Sequence, residues 1–150
     1  MVRQMKPKEN PTYRALNTYT KLMRAAESVT VRVNRPMSAA GLTISQFGVL
    51  EALLHKGPLC QRDIAAKILK STGNITMVID NLEKRGLVRR ERDSQDRRYL
   101  TVFLTDAGTT LIAKTFGAVE VSIATEMAAL AAAEQELLGT LCKKLGLKGC

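Results

Sequence analysis

Between Ser71 and Gly108 the chain changes its hydrophobic period twice, and few folds accommodate that change. Ile75, Val78, Ile79 and Leu82 fall at helical spacing and form one apolar face. Ser71 is placed to cap that helix, and Gly86 sits where a left-handed C-cap residue belongs. The period then becomes two: residues 87–92 and 99–104 alternate as paired strands do. The six residues Asp93-Ser-Gln-Asp-Arg-Arg98 are too many for a two-residue turn, so the spacing predicts a flexible, projecting loop. Thr105 with Asp106 caps a further helix. A capped helix followed by a basic hairpin can reach both grooves of duplex DNA.

The rest of the chain surrounds this unit with helices. Leu16, Tyr19, Leu22, Met23, Ala26, Val29 and Val33 predict a helix from about residue 11 to 34, stopped by Pro36. Thr43-Ile-Ser-Gln46 is a capping box, and it opens a helix carrying Phe47, Leu50, Leu53 and Leu54 that ends at Gly57-Pro58. A very short strand at Leu59 is followed by a helix over 61–69, with Ile64, Ala65, Ile68 and Leu69 turned inward. Helices over 105–130 and 133–145 close the chain, the last carrying Leu137, Leu138, Leu141 and Leu145 on one side. The fold class is mainly α (α+β): a winged helix-turn-helix lobe with additional helices.

Charge separates the two parts. Residues 105–150 hold four lysines against five carboxylates, a net of −1, so the first 104 residues carry +10 and the whole chain +9. Lys84 to Arg98 alone contains seven bases against three acids. Such a block is a solvated face or a polyanion-facing surface. No apolar run reaches the ~18 residues of a membrane span. The opening MVRQMKPKENP has no signal-peptide core, which predicts a cytoplasmic protein with no membrane partner. Three cysteines without a CxxC pair speak against a zinc site, and no cofactor is expected. A single histidine and no glycine-rich phosphate loop speak against an enzyme.

The second helix of a helix-turn-helix enters the major groove by its N-terminal residues. Ser71, Thr72, Gly73, Asn74, Thr76 and Met77 are therefore the candidate base-reading positions, with Asp80 also facing outward. Asn pairs bidentately with adenine, and Thr offers a hydroxyl or a methyl to thymine. Ser-Thr-Gly-Asn is equally good capping chemistry for an ordinary surface helix. Arg97 and Arg98 at the hairpin tip suit a narrow minor groove. Asp96 is assigned to hold the loop by pairing with Arg98 or a nearby base. Gln61 and Arg62 are candidates for phosphate anchoring, and Arg90 for a DNA contact that also packs its stem.

With these residues in place the chain resembles the MarR family of bacterial and archaeal winged-helix regulators. The resemblance rests on Asp96-Arg97-Arg98 followed by Leu104-Thr105-Asp106-Ala107-Gly108, on Thr43-Ile-Ser-Gln-Phe47, and on Asp80-Asn-Leu-Glu-Lys-Arg-Gly-Leu87. Gly73-Asn-Ile-Thr76 is similar to a branch that includes quinone- or catechol-responsive repressors. The resemblance implies one domain over 1–150. Within it, 43–104 is the DNA-binding lobe, and 11–35 with 105–147 form a helical dimerisation region. It further implies a homodimeric repressor on a palindromic operator in double-stranded DNA, released by a small aromatic effector or by thiol oxidation. Two features depart from the family pattern. The last helix opens on Leu130-Ala-Ala-Ala-Glu134 without a Ser or Thr cap, which leaves that end to fray or to begin earlier. The first helix lacks the cysteine of peroxide-sensing members.

Cys60 is the candidate redox sensor, because it stands at an N-cap position beside Arg62; a small buried filler is the competing reading. Cys142 lies by the Leu138/Leu141 stripe, as core or dimer interface, and Cys150 is terminal. The family's ligand site lies between dimer helices and lobe, which makes Tyr13, Tyr19, Met23, Phe47 and His55 candidate pocket residues. Each of them also has a plain role as core, or for His55 as a charge at a helix C-terminus. The alternative function is a non-specific basic nucleic-acid-binding or architectural protein.

Overall fold

The computed structural model describes residues 10–68 and 72–147. The element order is α1 (Pro11–Val33), α2 (Arg35–Ala39), α3 (Ile44–Lys56), β1 (Leu59–Cys60), α4 (Gln61–Lys67), α5 (Thr72–Lys84), β2 (Val88–Arg92), β3 (Leu100–Leu104), α6 (Asp106–Met127) and α7 (Ala132–Gly146). The fold is mainly helical with one small antiparallel sheet, in strand order β1-β3-β2. Among the described residues no single helix is long and apolar enough to cross a membrane.

Local chemistry accounts for most boundaries. The Asn10 carboxamide oxygen accepts from the Thr12 backbone N–H at 2.9 Å and caps α1. In α3 the Thr43 hydroxyl accepts from Gln46 N–H at 3.1 Å and the Gln46 side chain accepts from Thr43 N–H at 3.0 Å. Gly86 adopts φ +71°, which lets Leu87 N–H turn back onto the Leu82 carbonyl at 3.0 Å and end α5.

The structure refines the sequence reading at several places. Pro36 does not simply end the first helix: α1 stops at Val33, and Pro36 lies in the first turn of α2, where no N–H is needed. The strands begin one residue later than the alternation suggests, at Val88 and Leu100. The 93–99 connection is hydrogen-bonded within itself, since Asp93 Oδ1 accepts from Gln95 N–H at 2.7 Å and from Asp96 N–H at 3.0 Å. The last helix starts at Ala132, because the Glu134 carboxylate accepts from Ala131 N–H at 2.8 Å. That is half a capping box, alanine having no acceptor of its own. The inward placement expected of Leu69 lies outside the described residues.

The core sits under α3. Val49 and Leu50 of α3, Ile64 of α4, Ile75, Ile79 and Leu82 of α5, Val88 and Val102 of the sheet, and Ile112 of α6 are fully buried together. Each such side chain contributes about 1.5–3 kcal/mol by leaving water. This core locks α4, α5 and the hairpin into one lobe. In contrast α1 and α7 bury no residue in the single chain. Tyr13, Leu16, Tyr19 and Met23 on α1, and Leu137, Leu138, Leu141 and Leu145 on α7, all stand in solvent.

Candidate nucleic-acid interface

The apolar face of α5 is spent on the core, which turns the rest of the helix outward. Asn74, Thr76 and Met77 are exposed, Met77 at 60%. A methionine so exposed beside an asparagine and a threonine makes a mixed surface that can meet both base edges and thymine methyls. Ser71 and the side chains of Thr72 and Gly73 lie outside the described residues.

The hairpin pairs Val88 opposite Leu104, Arg90 opposite Val102 and Arg92 opposite Leu100. At its tip Asp96 Oδ1 accepts from the Arg98 backbone N–H and from Arg98 Nε, both at 3.0 Å, and Oδ2 accepts from Nη2 at 2.8 Å. The guanidinium is oriented by this fork and still 88% exposed. The Arg98 hydrogen bond holds the Asp96 carboxyl below its ordinary range, and Asp96 in turn raises Arg98. The backbone N–H groups of Asp96 and Gln95 lower Asp93 likewise. The wing therefore presents a fixed cation, with Arg97 exposed beside it.

Arg62 at the start of α4 faces the same side. Cys60, Arg62 and Arg98 line one open cleft of about 260 Å³ between the first turn of α4 and the wing. Cys60 is half-buried at the N-cap of α4 and its side chain makes no capping hydrogen bond.

Arg90, read from the sequence as a DNA contact that also packs its stem, is drawn inward onto α5. Its side chain is only 20% exposed and pairs with Asp80, with Glu83 at 3.1 Å, and with Gln61 Oε1 at 3.3 Å. The Glu83 carboxylate also accepts from the Arg90 backbone N–H at 3.0 Å. The hydrogen bond from Arg90 is the chief reason Glu83 sits below its ordinary pKa. Two carboxylates one helical turn apart on α5 thus clamp β2 against the helix. Sequence reading placed Asp80 outward and passed over Glu83; their i, i+3 spacing opposite a strand arginine was the available signal. It also passed over Arg85, whose guanidinium donates to the Gly41 carbonyl at 2.8 Å; Arg89, read as a phosphate contact with a packed stem, lays its guanidinium over the Phe103 ring at 4.5 Å.

The pocket candidates separate. Phe47 is buried and stacks on Phe116 of α6 at 6.5 Å, and His55 meets the same Phe116 edge-on at 4.8 Å. Phe116, missed in the sequence, joins the two. Tyr13, Tyr19 and Met23 stand exposed on α1, so these described residues do not enclose one cavity with Phe47 and His55 in the single chain. Cys142 is exposed in the single chain, and Cys150 lies outside the described residues.

This geometry has counterparts. The sequence model of the MarR family matches residues 42–100. Over 139 residues the chain is 35% identical to the uncharacterized HTH-type transcriptional regulator YkoM of Bacillus subtilis (strain 168), spanning 93% of this chain and 90% of that protein. It is 32% identical over 136 residues to the HTH-type transcriptional regulator MhqR of the same organism, spanning 91% and 94%. The structure of Bordetella bronchiseptica BpsR, whose DNA binding is regulated by 6-hydroxynicotinic acid, superposes with a TM-score of 0.76 at 26% identity, covering 85% of this chain and 91% of that one. The chain belongs to the MarR family and is a winged helix-turn-helix transcriptional regulator.

Proposed function

We propose that the protein is a homodimeric repressor that binds a palindromic operator and leaves it on binding a small aromatic ligand or on thiol oxidation. The observation that carries this reading is the apolar surface of α1 and α7. Eight large side chains exposed on two helices, outside a lobe already complete in its own core, are unfavourable in a monomer and suited to a second copy. Dimerisation repeats the lobe, and two lobes related by a two-fold axis match a palindrome. In each lobe Asn74, Thr76 and Met77 read bases, Arg97 and Arg98 enter the minor groove, and Gln61 and Arg62 stand at the backbone. The aromatic ligand seats by Phe47, Phe116 and His55, with Tyr19 and Met23 supplied from α1. The regulation of BpsR by an aromatic acid supports that ligand class. Cys60, in the cleft with Arg62 and Arg98, is the oxidation site.

Fluorescence anisotropy against duplexes tiling the protein's own promoter tests the reading. A repressor prefers one duplex over random DNA by about 10³ or more at physiological salt, and an aromatic acid or peroxide lowers that affinity. A preference of only a few fold throughout would establish the non-specific basic protein instead.

A further inference from the structure

The stretch from α3 to β3 joins the flanking helices at two places, the turn 40–43 ahead of α3 and Thr105 ahead of α6. Both junctions are fastened to three consecutive residues at the end of α5. The Gly86 carbonyl accepts from the Thr105 hydroxyl at 2.6 Å, and the Leu87 carbonyl from Thr105 N–H at 3.1 Å. Arg85 reaches the other junction. Its Nη1 donates to the Gly41 carbonyl at 2.8 Å and lies 3.5 Å from Gln46 Oε1, the oxygen that accepts from Thr43 N–H in the cap of α3. Gly41 has φ +70°, and a Cβ there would stand 3.5 Å from Arg85 Nη2, so the guanidinium lies directly against the turn.

We infer, resting on the homodimeric operator-binding reading above, that Arg85 is a positioning residue for the whole lobe: it sets how α5 stands against α2 and α6, and so which half-site spacing the dimer accepts. The lobe meets α6 largely through apolar groups, since Phe47 stacks on Phe116 and Ile112 enters the lobe core. Apolar contact has no direction and lets packed helices slide by small amounts. A hydrogen bond from a charged guanidinium to a carbonyl has a direction and is stronger than a neutral one. The bonds at Thr105 fix the lobe at one point, about which it can still swing; the bond at Gly41 is a second point and stops the swing. In a dimer such a swing changes the distance between the two copies of α5. One base pair of spacer moves a half-site by about 3.4 Å and turns it by about 35°, so a modest swing decides which spacing fits. Arg85 stands past the opposite end of α5 from Asn74, Thr76 and Met77, where it can set geometry without reading bases.

The test uses the duplex the protein prefers within its own promoter, remade with the spacer between half-sites shortened or lengthened by one base pair. Anisotropy titrations on the three duplexes compare wild type with Arg85→Met, which keeps an apolar stem and removes every donor, and with Arg85→Lys, which keeps the cation without the fork. Wild type should lose about tenfold or more on either altered spacer. In Arg85→Met that penalty should shrink to about threefold or less, with affinity for the native spacing within about threefold of wild type and the preference at each base pair unchanged. Arg85→Lys should fall between the two, and it carries the test alone if Arg85→Met does not fold. A penalty as large as in wild type overturns the inference. So does an equal loss on all three duplexes, which would make Arg85 a phosphate contact, and so does a wild type indifferent to spacing. Each of these leaves the operator reading standing; a wild type that prefers no promoter duplex over random DNA removes both.

Discussion

The Leu87 carbonyl oxygen occupies the space where a side chain at residue 108 would begin: a Cβ on Gly108 would lie 1.9 Å from it. The same carbonyl accepts from Thr105 N–H at 3.1 Å, while the Thr105 hydroxyl donates to the Gly86 carbonyl at 2.6 Å and accepts from Gly108 N–H at 3.0 Å. The end of α5, the return of the hairpin and the start of α6 thus meet in one knot, and only glycine fits its centre. Gly108→Ala should cost about 2–3 kcal/mol or more, because the atom in the way is backbone and cannot rotate aside. A Cβ on Gly117, in the same helix, meets nothing within 4 Å. Gly117→Ala should be neutral or gain up to about 1 kcal/mol. Denaturant unfolding of the pair checks both.

Arg98→Ala should weaken operator binding by about an order of magnitude, as loss of a wing arginine does, and leave assembly unchanged. Asp96→Asn should produce part of the same loss, since it removes the charge that orients the guanidinium. Anisotropy titrations paired with sedimentation measure the two effects separately. Full affinity in Arg98→Ala would remove the wing from the interface.

Acid should loosen the clamp between α5 and β2. Glu83 is held below its ordinary 4.5, first by the hydrogen bond from Arg90, so in that range the native state binds fewer protons than the unfolded chain. The stability it contributes is present above the ordinary value and is lost as pH falls through the depressed one. Asp93 and Asp96 act in the same direction. Unfolding free energy should therefore fall as pH drops below about 5, and Glu83→Gln should fall less steeply, with its deficit against wild type shrinking toward acid. A constant deficit across that range would show that the charge contributes nothing.

Ending the chain before Glu134 should abolish dimerisation, because it removes the Leu137, Leu138, Leu141 and Leu145 face of α7. The lobe core from Leu42 to Ile112 is untouched and should keep its circular dichroism. Sedimentation equilibrium of the shortened chain decides the point; a stable dimer would place the interface elsewhere.

Much of the lobe was legible because its signals are local. A helix and a strand differ in hydrophobic period, so α5 and the hairpin could be told apart from residues 75–104 alone. The Thr43 and Thr105 caps and the Gly86 stop act over three or four residues. The break at Asn34 was not legible, since Pro36 is equally compatible with an end and with a first helical turn. The start of α7 was obscured because its only cap is the Glu134 carboxylate reaching back, without a Ser or Thr to announce it. Arg90 could be placed on a strand face, but the identity of its partners depended on which side of α5 lay across from it.

By itself, then, the amino-acid sequence determined the order and type of the elements apart from the short α2, the basic hairpin and the outward placement of Asn74, Thr76 and Met77, because backbone propensity and apolar period are properties of neighbours in the chain. Only the tertiary structure decided which charges remain available to a partner. Arg98 and Arg90 have the same side chain in the same hairpin. One is held at the tip by Asp96 and still faces solvent, while the other is drawn inward by Asp80, Glu83 and Gln61. That difference comes from packing between residues distant in the chain, where a carboxylate on a neighbouring helix competes with any outside anion for the same guanidinium.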